Sequence, residues 1–144
     1  MSTSVSHLEG LIDAHGIEIS GHLDRQVQIP VLAGFQRQGD VLVVPVPTAT
    51  ATVPVPPAGV PVVPGADAGN SHTIVADGDV WCDLKTGSAH DLVVSTLVVA
   101  EGACAYLAHP EHGYSGIAPG RYEVRRQREI DATRSGAIVS LVAD

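Results

Sequence analysis

The chain reads as a mainly β protein: a small antiparallel sandwich or barrel with a short N-terminal helix and an extended proline-rich arm. Three observations predict this class. Short Val- and Ala-rich runs recur from Val27 onward. Glycine-containing turns separate them at Asp77-Gly78, Thr86-Gly87, Glu101-Gly102, Pro119-Gly120 and Ser135-Gly136, the punctuation expected of a sandwich or barrel. No segment of helical length and period interrupts those runs.

The first element is the exception. Residues 6–16 predict a helix: Ser6 and Glu9 have capping-box spacing, Leu8, Leu11, Ile12 and His15 fall at i, i+3, i+4 and i+7, and Gly16 is a stop signal. Residues 1–26 form a helical arm, and 27–144 a single β domain. The apolar stripe of the arm must be buried on that domain or on a neighbouring subunit. His7, His15 and His22 belong to the arm and read as surface or capping residues. Next, Val41-Leu42-Val43-Val44 follows a Gln38-Gly39-Asp40 turn.

Seven of the ten prolines lie between Pro45 and Pro64, in a Val, Ala and Thr background. Each proline removes a ladder donor, so this stretch cannot be a central strand. It is too apolar for an ordinary disordered linker. The Pro/Val-rich segment 45–65 therefore reads as an extended, polyproline-like arm lying on a surface, its own or a partner's. Beyond it the sequence predicts strands over 72–76, 79–82, 92–99, 103–108, 121–127 and 137–142.

Length and composition bound the rest. A chain of 144 residues is long enough for one domain with a real core. Aromatics are only 3% of residues, with Trp81 and Phe35 each the sole example of its type, so Val, Leu, Ile and Ala must build that core. A formal net charge of −8 argues against nucleic-acid binding by bulk electrostatics. Arg121, Arg125, Arg126, Arg128 and Arg134 interleave with Glu123, Glu129 and Asp131, the pattern of a solvated, salt-bridged strand face. Cys82 and Cys104 fall in expected strands without CxxC spacing and read as buried, reduced thiols. No apolar run reaches the roughly 20 residues of a membrane helix. The first residues lack the basic and apolar regions of a signal peptide, so the expected location is cytoplasmic, or a virion for a phage-derived chain.

Three blocks carry a resemblance. They are Arg37-Gln38-Gly39-Asp40-Val41-Leu42-Val43-Val44-Pro45-Val46, then Gly69-Asn70-Ser71-His72, then the tract from His109-Pro110-Glu111-His112 to Arg126-Gln127-Arg128-Glu129. In that order they resemble a family of small uncharacterised all-β proteins of bacteria and their phages, patterned RQGDVLLVPV, GHxH and HEEH…PPGxYxVxRQREY. The similarity spans roughly residues 36–131 and leaves the helical arm outside. Asn70 stands where that family often has the first histidine of GHxH, and Ile130 where it has a closing tyrosine. The resemblance implies a β fold and residues to test, and transfers no activity.

Two groups of residues could support chemistry. His72, His109 and His112, with Glu111, are the metal candidates: imidazoles suit a divalent transition metal such as Zn, and a carboxylate can complete the shell. On a flat strand His109 and His112 would point to opposite faces, but on a tight turn they can converge. His72 opens a different strand and can approach from across the sheet. This arrangement is cupin-like in idea, without the cupin HxH spacing. The second group is Tyr122, Arg126 and Arg128, which share one face of a strand by period two. An inward arginine needs a carboxylate partner or an anionic ligand, so these residues are candidate ligand contacts. No nucleophile elbow or phosphate loop is present. Two functional readings follow: a self-associating structural or interaction protein, with a homo-oligomeric or other protein partner engaged through the arm, or a small metal- or ligand-binding barrel. Neither carries a signature of catalysis.

Overall fold

The computed structural model describes residues 6–20, 27–63, 71–85, 92–131 and 138–141, with residues 6, 128–131 and 138–141 described by their backbone. The expected turns at Thr86-Gly87 and Ser135-Gly136, and residues His22 and Asn70, lie outside them. In chain order the elements are β1 (Ser6–His7), α1 (Leu8–His15), β2 (Gln28–Ile29), β3 (Val31–Leu32), β4 (Gln36–Gln38) and β5 (Val41–Pro45). They continue with β6 (Val60–Val63), β7 (His72–Asp77), β8 (Val80–Leu84), β9 (Val93–Val99) and β10 (Cys104–His109). Last come β11 (Gly113–Ile117), β12 (Gly120–Arg126), β13 (Arg128–Asp131) and β14 (Ile138–Leu141).

Two five-stranded sheets result, ordered β3-β11-β10-β7-β6 and β4-β5-β12-β9-β8, with two-stranded ribbons β1-β2 and β13-β14 beside them. Every pairing is antiparallel except β3 with β11. The architecture is a sandwich; the alternative of a closed barrel is not realised, because each sheet keeps two edges. Between the sheets lies an aliphatic core that includes Val41, Val43, Ile74, Leu97, Leu107, Ile117 and Val124, joined by the ring of Tyr122.

A second core lies on the outer face of the β10-containing sheet. There Leu8, Leu11 and Ile12 of α1 pack with Val75, Tyr106, Ala108 and Tyr114. An isolated helix of eight residues is unstable in water; burying three aliphatic side chains, at about 2 kcal/mol each, holds it here. β10 therefore has no solvent face, and all six of its residues are buried. Ala105 and Leu107 point to the inter-sheet core while Cys104, Tyr106 and Ala108 point to the helix. The helix ends at Gly16 in the left-handed region (φ 78), as expected. Its start differs from the expected capping box. Ser6 pairs with Ile29, His7 is the N-cap and gives no side-chain cap, and the Leu8 N–H donates to the Val27 carbonyl at 2.9 Å.

The proline-rich segment packs on its own domain. The Cys82 N–H donates to the Val53 carbonyl (2.8 Å) and the Val55 N–H to the Val80 carbonyl (3.0 Å), so residues 53–55 run along the free edge of β8. Both Asp83 carboxylate oxygens face this segment, with Oδ1 accepting from the Thr52 and Val53 amides at 3.0 and 2.9 Å. Those bonds hold the Asp83 carboxyl below its usual range. Val60–Val63 then forms an edge strand on β7, a position where proline is tolerated because its missing N–H can face away from the ladder.

Candidate metal centre

The register of two neighbouring strands brings the histidines together. β7 and β10 run antiparallel with Thr73 opposite Ala108, so His72, which opens β7, lies beside His109, which closes β10. By alternation both point the way of Ile74 and Leu107, into one end of the inter-sheet core. They are 0% and 1% exposed. The third ring is supplied by the turn. Residues 110–112 connect β10 to β11, closed by the His109–Gly113 pair with Gly113 at φ 87, a conformation side chains other than glycine rarely adopt. This sharp reversal returns the His112 ring to within 4.5 Å of that of His109, centroid to centroid. The His72–His109 and His72–His112 separations are 4.3 and 5.8 Å.

One ligand nitrogen from each of His72, His109 and His112 lies within 4.8 Å of the other two. Tetrahedral zinc with bonds of ~2.1 Å sets its ligand nitrogens about 3.4 Å apart, so side-chain rotations closing gaps on the order of 1 Å complete the geometry. Three borderline-soft nitrogen donors suit Zn, Cu, Fe or Ni rather than Mg or Ca. Among the described residues no acid or thiol joins the group, and the Glu111 carboxylate stands outside it. Glu111 contributes its backbone instead, its N–H donating to His109 Nδ1 at 3.0 Å. A neutral imidazole whose Nδ1 accepts a hydrogen bond carries its proton on Nε2. A metal at His109 must therefore displace the Glu111 amide from Nδ1, or turn the ring and forgo that bond.

Two further contacts steady the turn. The Ser20 N–H donates to the Pro110 carbonyl (2.7 Å), so the end of the segment after α1 is tied to the turn. Gln38, 5% exposed on β4, reaches from the opposite sheet. Its amide Nε2 donates toward the Leu107 carbonyl (3.0 Å), the Gly113 carbonyl (3.3 Å) and Ser115 Oγ (2.9 Å), gripping the hairpin that carries His109 and His112. Sequence reasoning treated Gln38 only as part of a turn. The available signal was the two-residue connection Gly39-Asp40, which puts Gln38 opposite the inward-facing Val41 and hence on the same face.

The second group of candidates is not assembled into a ligand pocket by the positions described. Tyr122 is a core residue, 1% exposed, and its hydroxyl donates to the Ala118 carbonyl at 2.7 Å; burial pushes that hydroxyl's pKa up. Arg126 is half-buried at the end of β12, opposite Val41 and next in register to the buried Asp40. The side chain of Arg128 lies outside the described residues. The interleaved charges behave as a strand face: Arg125 Nε donates to Glu123 at 2.9 Å, partly exposed. Both cysteines are buried and free, on different sheets, and desolvation pushes the Cys82 thiol up to about 11, which leaves it unreactive.

Fold and site together define a two-sheet β-sandwich bearing a three-histidine constellation at one end of its core. The chain belongs to the family described as Domain of unknown function (DUF8820), whose family model matches residues 37–127. That span contains all three histidines and Gln38 and leaves out α1. No curated protein matches the chain, and no solved structure does.

Proposed function

We propose that this protein is a transition-metal-binding β-sandwich, with His72, His109 and His112 as ligands and zinc as the leading metal. The observation that carries the reading is the convergence of three imidazole nitrogens within 4.8 Å from two strands and a turn, two of the rings at the end of an aliphatic core. The test is metal analysis by mass spectrometry on untagged protein. About one transition-metal ion per chain is expected, lost in His109→Ala and kept in His7→Ala, an exposed histidine outside the three-histidine group. Metal-free protein after growth and dialysis in excess zinc refutes the reading.

A second reading, self-association as a component of a bacterial or phage assembly, draws on one observation. Leu32 and Phe35, 46% and 60% exposed, sit beside the edge strands β3 and β4. Light scattering on a sizing column checks it. A dimer or larger species that dissociates in Phe35→Asp supports association through this flank, and a monomer at high micromolar concentration refutes it.

A further inference from the structure

We infer that α1 and the segment behind it form a clasp coupled to the three-histidine site: metal loading tightens the arm, and metal loss loosens it. The inference rests on the metal-binding reading and adds what occupancy of that site controls.

The arm holds both limbs of the turn that carries the site. The Ser20 N–H donates to the Pro110 carbonyl at 2.7 Å, and Pro110 directly follows His109. The Tyr114 hydroxyl, two residues beyond His112, donates to the Ile17 carbonyl at 3.1 Å. Burial pushes that hydroxyl's pKa up to about 12, so it keeps its proton and stays a donor. Between these two bonds Ile19 is buried with Leu8, Leu11 and Ile12 in the outer core. The His15 ring, in the last turn of α1, has its centroid 5.8 and 6.2 Å from those of Tyr106 and Tyr114. Residues 8–20 thus grip the β10–β11 hairpin from its outer face. His109, by alternation with Ala108, faces the other way.

Metal loading cannot leave this turn unchanged. Ligand nitrogens within 4.8 Å of one another must close to about 3.4 Å around a tetrahedral ion. His109 must also give up the Glu111 amide or turn away from it. The ion then fixes His109 and His112 together, and with them the two residues between. Pro110 and Tyr114 are presented to the arm in one geometry instead of several, so docking costs less entropy. Linkage makes the effect reciprocal: the factor by which metal strengthens docking is the factor by which docking strengthens metal binding. Loss of the metal uncovers more often the apolar face formed by Val75, Tyr106, Ala108 and Tyr114.

The test compares amide hydrogen exchange in the full chain, zinc-free and zinc-loaded, with the core residue Val124 reporting global unfolding. The amides of residues 12–16, at the end of α1, should exchange about fivefold or more slowly with zinc, the lower end of ordinary coupling. Ile12→Asp puts a charge in the buried stripe of α1, outside the three-histidine group, and undocks the arm. Its zinc affinity, measured by competition with a chromophoric chelator, should fall by the same factor. Exchange of the arm that is unchanged or faster on loading overturns the inference alone. So does an arm that exchanges no faster than Val124, or a folded Ile12→Asp protein that binds zinc as tightly as the parent. Where Ile12→Asp does not fold, the exchange comparison decides by itself. Failure to take up zinc overturns the inference together with the metal-binding reading.

Discussion

Replacing Gln38 tests whether the site is held from the opposite sheet. Its amide nitrogen has two protons and three acceptors at 2.9, 3.0 and 3.3 Å, so the contacts amount to two full hydrogen bonds shared three ways. At about 1 kcal/mol net each these contribute ~2 kcal/mol. Gln38→Ala also strands at least one buried carbonyl, at a cost of about 1–3 kcal/mol. The expected loss is therefore ~3 kcal/mol, or a fall in melting temperature on the order of 10 °C for a domain of this size. Gln38→Glu should be worse at neutral pH, because it turns a carboxylate toward two carbonyl oxygens that have no proton to give, leaving only the Ser115 hydroxyl able to donate to it. Urea denaturation followed by tryptophan fluorescence measures the stability through Trp81, and competition with a chromophoric chelator measures zinc affinity. The alanine variant should bind zinc more weakly even where it is fully folded. A loss under 0.5 kcal/mol with unchanged zinc affinity would refute the claim that Gln38 positions the hairpin.

The remaining predictions concern the backbone and the arm. A Cβ on Gly116 meets the Pro30 carbonyl at 2.6 Å, and backbone on both sides cannot yield. Gly116→Ala should cost more than about 2 kcal/mol by overpacking, whereas Gly10→Ala, in open space on α1, should gain about 0.5–1 kcal/mol; chemical denaturation of the pair checks both signs. Burial lowers the His15 pKa, with Asp77 opposing the shift more weakly. The folded state thus binds the His15 proton less readily than the unfolded chain does. Its contribution to stability is present above the unfolded value near 6.5 and is lost as pH falls below it. His15→Gln should flatten that part of the stability–pH curve, and an unchanged slope would contradict the assignment. Zinc loading should move the Glu111 amide resonance in nitrogen–proton NMR more than the neighbouring Gly113 amide, since binding at His109 by either route breaks the hydrogen bond that Glu111 now makes.

How much of this was legible beforehand differs by element. The helix stripe and its Gly16 stop, and the strands expected over 72–76, 92–99, 103–108 and 121–127 and found within a residue of those bounds, follow from local period and turn chemistry, which survive folding. β11 was not legible: Gly113-Tyr114-Ser115-Gly116-Ile117 has neither alternation nor β-branched density. Its glycines are there for a turn with positive φ and for the close approach of Pro30 and Val31. The stretch 60–63 reads in sequence as part of an extended polyproline-like arm, because prolines at that density rule out a central strand; it forms an edge strand, a position that tolerates Pro61. At the site, the residue types suggested His72, His109 and His112, yet their convergence depends on β7 lying beside β10, a pairing between segments some thirty residues apart that no local pattern encodes. The Glu111 carboxylate, a candidate from its place beside His112, stands outside the three-histidine group, while its amide donates to His109 Nδ1. Gln38 was missed because its partners, two carbonyls and the Ser115 hydroxyl, belong to the other sheet, and a cross-sheet contact leaves no mark in a local sequence pattern.

The proline-rich segment has a consequence for how copies of this chain can meet. A sheet edge grows by offering N–H groups to an incoming strand. On one flank Pro61 lies in β6, and Pro54, Pro56 and Pro57 accompany the stretch along β8, so that flank offers few donors. The opposite flank, where β3 and β4 end the two sheets, has no proline within either strand. Of the two flanks of the sandwich, the proline-lined one is thus the poorer template for an added strand, a built-in bias against edge-to-edge stacking through it.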